Sequence, residues 1–194
     1  MKLDVHVCDG VRLWPYFAKH HYLTGEYFGH FAVVGLVDDQ LAAFASCISF
    51  PTGTIKQPCK RAHRAVVLPD YQGLGIGVRI TDLLADMVLR DGYRYYTKTS
   101  HPRLGEYRGA SPLWKTSTWN LSERSDHLAE RMARDGFDAA KDMSEKDYRW
   151  AGGWRPRNGN GQMYCHEYIG ADAAVYDRVM NPPAVADKQI GLFD

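Results

Sequence analysis

The stretch Val66-Val67-Leu68-Pro69-Asp70-Tyr71-Gln72-Gly73-Leu74-Gly75-Ile76-Gly77, running into the amphipathic segment Val78 to Arg90, constrains this chain more than any other. A β-branched apolar run, a Pro-Asp break and alternate glycines feed a segment with helical spacing, so the order is strand, loop, helix. Such a turn leaves backbone N–H groups bare at the helix start and thereby binds anions. Glycines at this spacing also occur in ordinary turns, and the surroundings decide between the readings. A dinucleotide-binding fold wants the preceding strand near the N-terminus and an acidic residue about 20 positions further on. Here the loop lies mid-chain.

With 194 residues, 45% of them hydrophobic, the chain has enough apolar material for one domain with appendages. A formal net charge of +1 gives no global signal for nucleic acid, so local charge carries that question. Cys8, Cys47, Cys59 and Cys165 are scattered with no Cys-x-x-Cys spacing, which suggests reduced thiols rather than a zinc site or a disulfide framework. No apolar run approaches the roughly 18 residues of a membrane span, and the N-terminus lacks the apolar core of a signal peptide. The expectation is a cytoplasmic protein without a membrane partner.

Met1 to Val7 alternates as a short strand, and Trp14 to Tyr22 follows as a segment dense in aromatics and histidine. Phe31 to Val37 and Leu41 to Phe50 are β-rich runs around the turn signal Asp38-Asp39-Gln40, which predicts an antiparallel hairpin. Lys56 to Arg64 then collects four cationic side chains and His63 before a central strand expected to begin at Ala65, a run that suits a solvated face and, beside an acceptor groove, the binding of a polyanion. Tyr93 to Thr99 reads as the next strand, and Gln162 to Gly170 alternates as the last one, with His166 and Glu167 on opposite faces. Between them, a charged excursion over about 115–157 has helical spacing at Leu128, Met132 and Phe137. Its later part mixes arginine with Trp150 and Trp154, a combination suited to phosphate contacts and base stacking and equally to a packed turn. A short helix and a Pro-containing linker occupy 171–188, and 189–194 form a tail.

Gln72-x-x-Gly75-x-Gly77, with its Val-x-Pro-x-Tyr-Gln-Gly lead-in, resembles the pyrophosphate loop of the GNAT superfamily of N-acetyltransferases. The resemblance covers roughly Phe31 to Gly170. It implies an α/β (α+β) fold in which a mixed central sheet has splayed parallel fourth and fifth strands flanked by helices. It also implies acetyl-CoA as acyl donor, held by Val66, Val67, Leu68, Gln72, Gly73, Leu74, Gly75, Ile76 and Gly77. The thioester is expected where Val66 to Leu68 faces Thr97 to Ser100. His-His-Tyr-Leu at His20 to Leu23, Thr-Ser-His-Pro at Thr99 to Pro102 and His-Glu-Tyr-Ile-Gly at His166 to Gly170 are similar to a phage and prokaryotic subgroup. A more distant similarity, confined to the His-Tyr of the acceptor region, is to the Mom DNA-modification protein of bacteriophage Mu.

The chemistry so implied is attack of an amine nitrogen on the thioester, which needs a base, a polarised carbonyl and a proton for the departing thiolate. His21, or His63 through water, is the candidate base. Tyr22 and His101 stand beside the reaction, and Tyr107 is the candidate acid. The aromatics and one histidine of the first helix equally suit packing against the sheet, and Tyr107 suits a core position. The scheme requires no metal.

The chain ends Gln189-Ile190-Gly191-Leu192-Phe193-Asp194. Large apolar residues at the tip of a polar tail attract partners. The pattern resembles the bacterial sliding-clamp-binding peptide, with Gln189, Ile190, Leu192 and Phe193 at its specified positions. The expectation is an acyltransferase recruited to replicating DNA that modifies a base or a DNA-associated protein. The alternatives are a conventional enzyme acetylating a protein or small amine, and a non-catalytic replication regulator.

Overall fold

The computed structural model describes residues 2–21, 26–50, 57–121 and 163–182. Tyr22, most of the charged excursion with Trp150 and Trp154, and the tail with Gln189, Ile190, Leu192 and Phe193 lie outside the described residues.

The elements run β1 (Leu3–Cys8), α1 (Gly10–Ala18), β2 (Phe31–Val37), β3 (Gln40–Ser49), β4 (Cys59–Val67), α2 (Ile76–Arg90), β5 (Arg94–Thr99), α3 (Pro102–Ala110), β6 (Trp114–Thr116), β7 (Tyr164–Tyr168) and α4 (Ala173–Met180). They build a seven-stranded sheet in the order β1-β2-β3-β4-β5-β7-β6. Neighbours are antiparallel except β4 and β5, which run parallel. This is the mixed α/β fold expected from the sequence. The β2–β3 turn is made by Asp38 and Asp39 at φ 48° and 63°. That left-handed pair matches the twist of the flanking strands, which is why an Asp-Asp signal closes so short a hairpin.

The two faces of the sheet are covered by different helices because the strands alternate with period two. Ala32 and Val34 of β2 join Phe44 and Val66 under Trp14 and Phe17 of α1. Val33 and Val37 join Ala43, Ala45 and Cys47 under Ile76, Ile80, Leu84 and Val88 of α2. Those four α2 positions recur every fourth residue and form one stripe. Each fully buried Leu or Ile contributes roughly 1.5–3 kcal/mol, so α2 and the loop at its start are rigidly placed. Val175 and Val179 enter the same core, which makes α4 part of the folded unit.

Three details depart from the sequence expectation. The central strand begins at Cys59 rather than Ala65, so Lys60, Arg61 and Arg64 are strand residues. Each lays its cation over an aromatic ring: Lys60 on Tyr93 at 4.5 Å, Arg61 on Phe50 at 4.8 Å and Arg64 on Trp14 at 5.7 Å. The apolar stems and ring faces let a cationic run serve as a half-buried strand. A short strand, β6, occupies the sheet edge, and β7 inserts between it and β5. Third, registered β4–β5 pairing stops at Arg61 and Tyr96, so the strands separate from Ala62 and Thr97 onward, nearer the start of β4 than Val66 to Leu68.

On β7, His166 is buried under α3, with Gly109 the helix residue above its Nε2. Glu167 faces the other way. Its carboxylate accepts from Arg94 Nε at 2.7 Å and Nη2 at 2.9 Å, and from the Tyr176 hydroxyl at 3.2 Å.

Candidate active site

Where β4 and β5 separate, a cleft of about 890 Å³ opens, within the range for small-molecule sites. Its rim at the end of β4 is the glycine loop. Gly73 and Gly75 sit at φ 81° and 75°, and a Cβ at either would meet nothing within 4 Å. Backbone conformation, not crowding, therefore favours glycine there. At Gly77 the reason is contact, since a Cβ would come within 3.2 Å of Val67 Cγ2. The first intrahelical bond of α2 runs from Arg79 N–H to Gly75 carbonyl at 3.2 Å, leaving the N–H groups of Ile76, Gly77 and Val78 without intrahelical acceptors. No side chain caps this end and no acidic residue lies in its first turn. The helix start is an open anion site. Gln72 braces it, donating from Nε2 to the Val67 carbonyl at 3.0 Å.

Val66, Val67, Gln72, Gly73, Gly75, Ile76 and Gly77 all line the cleft, as do His21, His63 and His101. Leu68, Leu74 and Tyr107 do not. Leu68 anchors the strand end through its N–H to the Ala42 carbonyl at 2.9 Å, and Leu74 projects outward with 48% exposure. Tyr107 donates its hydroxyl to Asp82 Oδ2 at 2.6 Å, while Trp114 Nε1 donates to Oδ1 of the same carboxylate at 3.0 Å. Asp82 thus ties α2 to α3 and β6. Burial of the phenol, then the Asp82 carboxylate it faces, raise the Tyr107 pKa.

The histidines differ in what they can do. His63 is the residue skipped by the β3–β4 register between Ser46↔Arg64 and Cys47↔Ala62, a bulge that re-aims its side chain. Its Nε2 accepts the Phe28 N–H at 3.4 Å and its ring lies 4.3 Å from that of Phe28. Burial first, then Arg64 and Arg61 and the neighbouring His21 and His30, push its pKa down to about 4. His63 is therefore a neutral, weakly basic group with one nitrogen engaged. His101 caps α3, its Nδ1 accepting the Leu104 N–H at 3.4 Å. His21 follows the end of α1, where its N–H bonds the Ala18 carbonyl at 3.1 Å and its ring meets Trp14 edge-on at 5.5 Å.

The low pKa of His63 carries a stability consequence. Between its unfolded value of 6.5 and its folded value of about 4 the unfolded chain binds a proton that the folded chain refuses. Stability accordingly falls as pH drops through that window and owes nothing to this ionisation above it. The thermal midpoint of His63→Asn is expected to fall less than that of the unaltered protein between about pH 7 and about pH 4.5. Differential scanning calorimetry across that range checks it, and parallel curves would remove His63 as the source.

Four cations line the cleft, Arg64, Lys98, Arg103 and Arg108; sequence reasoning reached Arg64, as part of the cationic run 56–64, and missed a binding role for the other three. No acidic residue joins them among the described lining residues. The strand extent of Lys60 to Arg64 and the helix position of Arg108 are tertiary facts with no local signature.

An uncapped helix start beside a fork in a mixed sheet suits a ligand that carries phosphates. The Acetyltransferase (GNAT) family model matches residues 8–108, just over half of the chain, and the chain belongs to that family. It is an acyltransferase, acetyl-CoA is the donor of its family, and the open N–H groups of the α2 start, with no acidic residue in the first turn, suit a pyrophosphate. No curated protein sequence matches the chain significantly. Similar solved structures include ribosomal-protein-alanine N-acetyltransferase from Brucella melitensis, at 18% identity over 48% of this chain and 76% of that one, TM-score 0.40. A GNAT family N-acetyltransferase from Escherichia coli in complex with CoA matches at 13% identity over 80% and 64%, TM-score 0.44. N-acetylglutamate synthase from Neisseria gonorrhoeae, complexed with coenzyme A and L-arginine, matches at 13% identity over 86% of this chain and 32% of that one, TM-score 0.48. All three are distant likenesses.

Proposed function

We propose that this enzyme acylates a nitrogen of a nucleobase, or of a DNA-associated protein, and is brought to replicating DNA by its last six residues. The observation that carries the reading is the charge of the cleft. Its described lining holds four cations and four histidines, His20, His21, His63 and His101, and neither Asp nor Glu. Walls of one sign concentrate ligands of the other, so the site favours an anionic acceptor over a polyamine.

In this scheme His21 takes the proton from the attacking nitrogen, and backbone N–H groups of β4 polarise the thioester carbonyl. His63, neutral and held by Phe28, fixes the wall against which the acceptor lies. Gln189, Ile190, Leu192 and Phe193 engage a bacterial sliding clamp, which raises the local concentration of enzyme at DNA without any new active-site contact. A base within a duplex must be flipped or already unpaired, with Trp150 and Trp154 as stacking candidates.

The test uses the full chain with labelled acetyl-CoA and a panel of duplex DNA, single-stranded DNA, DNA carrying a loaded sliding clamp, and small amines. Label in nucleosides or in a clamp-associated protein, reduced when Leu192 and Phe193 are both replaced by alanine, supports the proposal. Label confined to small amines or unrelated proteins overturns it in favour of a conventional acetyltransferase. A complete absence of turnover, with clamp binding retained, would instead favour a non-catalytic regulator.

A further inference from the structure

Arg108 is one of the four cations of the cleft, and no step of the reaction scheme uses it. It is 3% exposed and yet lines the cleft floor together with Ile80, Thr81, Leu84 and Tyr95. Its Nε has no hydrogen-bond partner, and among the described residues no carboxylate pairs with it. The guanidinium lies over the Trp114 ring at 4.5 Å. Asp82 is near enough to act on it electrostatically, but that carboxylate is held by Tyr107 at one oxygen and Trp114 at the other and makes no ion pair with it. A buried cation without an anion is costly, and position in the last turn of α3 offsets only part of that cost.

The depth of Arg108 identifies what completes it. The fork opens at Ala62 and Thr97, and Tyr95, beside Arg108, is two residues below that point on β5. At about 3.3 Å per residue this is roughly 7 Å, too far for the methyl of an acetyl group held in the fork and about the reach of a short acyl chain ending in a second carboxylate. The apolar floor of Ile80, Leu84 and Tyr95 suits the methylenes of such a chain.

We infer that Arg108 is a carboxylate-binding residue for the acyl group, and that the donor this cleft takes best is a short dicarboxylic acyl thioester of coenzyme A, of the malonyl to succinyl class. This rests on the reading of the fork as the coenzyme A site. The far carboxylate is a spectator to the transfer. The acceptor nitrogen forms an amide bond to the thioester carbonyl carbon, the C–S bond breaks, the nitrogen's proton passes to the base, and coenzyme A leaves as the thiol once the thiolate is protonated from solvent. The product carries one negative charge more than an acetylated product would.

Isothermal titration of the full chain with coenzyme A, acetyl-CoA and succinyl-CoA tests this without an acceptor. Succinyl-CoA is expected to bind at least about tenfold more tightly than acetyl-CoA, which is about 1.4 kcal/mol. In Arg108→Met that preference disappears while the acetyl-CoA Kd stays within about threefold. Equal affinities in the unaltered protein overturn the inference and leave the coenzyme A reading standing, as does a preference that survives in Arg108→Met. Failure of coenzyme A itself to bind overturns both. Should Arg108→Met not fold, the comparison in the unaltered protein still decides, and Arg108→Lys, which keeps charge but not the planar fork, is expected to retain only part of the preference.

Discussion

Gly75→Asp is expected to abolish measurable coenzyme A binding, weakening it by about 100-fold or more, while leaving the protein folded. Gly75 stands at φ 75° immediately before α2, and a Cβ there meets nothing within 4 Å. Aspartate is among the residues that tolerate this left-handed region, at a cost of about 1 kcal/mol. A carboxylate beside an uncapped helix start returns about 0.3–1 kcal/mol, so the thermal midpoint should shift by only a few degrees. The same carboxylate lies at the N–H groups that open the helix and repels a pyrophosphate approaching them. Gly75→Ala separates the two effects, since it imposes the backbone cost without the charge and should weaken binding far less. Titration calorimetry alongside thermal unfolding reads both quantities. An aspartate variant that binds coenzyme A normally would remove this helix start from the site.

His21→Gln is expected to lower the transfer rate by about 10²–10⁴ with little change in acetyl-CoA affinity, because it removes a proton acceptor and keeps the bulk beside Trp14. Tyr107→Phe provides the contrast. Its hydroxyl is bound to Asp82 and its side chain does not line the cleft, so the expected loss is in stability, about 1.5–3 kcal/mol by urea unfolding for a hydrogen bond to a carboxylate. The rate should change by no more than about twofold. A large rate loss in Tyr107→Phe with full stability would return the acid role to that phenol. Rates are read as thiol release with the acceptor that the panel identifies.

The local signals in this chain were those with local causes. The loop at Gln72 to Gly77 was legible because positive φ at Gly73 and Gly75 and close packing at Gly77 leave glycine as the residue that fits. The β2–β3 hairpin was legible because two aspartates supply the left-handed turn. The helical stripe of α2 and the alternation of β2 likewise follow from the periods of helix and strand.

What the tertiary structure alone decided concerns groups whose roles depend on distant partners. A run of Lys60, Arg61 and Arg64 reads as solvated charge until Tyr93, Phe50 and Trp14 come across to lie under each cation. Tyr107 and Arg108 are neighbours in sequence with equal claim to the cleft, and the helical turn sends the first to Asp82 and the second to the cleft floor. His63 reads as a base until Phe28 engages its Nε2 and burial among arginines makes it a poor one. The sequence by itself determined the glycine loop and the helix start it leads into, because φ angles and periodicity are properties of neighbours along the chain. The charge of the cleft and the depth of Arg108 belong to the fold, because burial and electrostatic pairing are set by residues that only folding brings together.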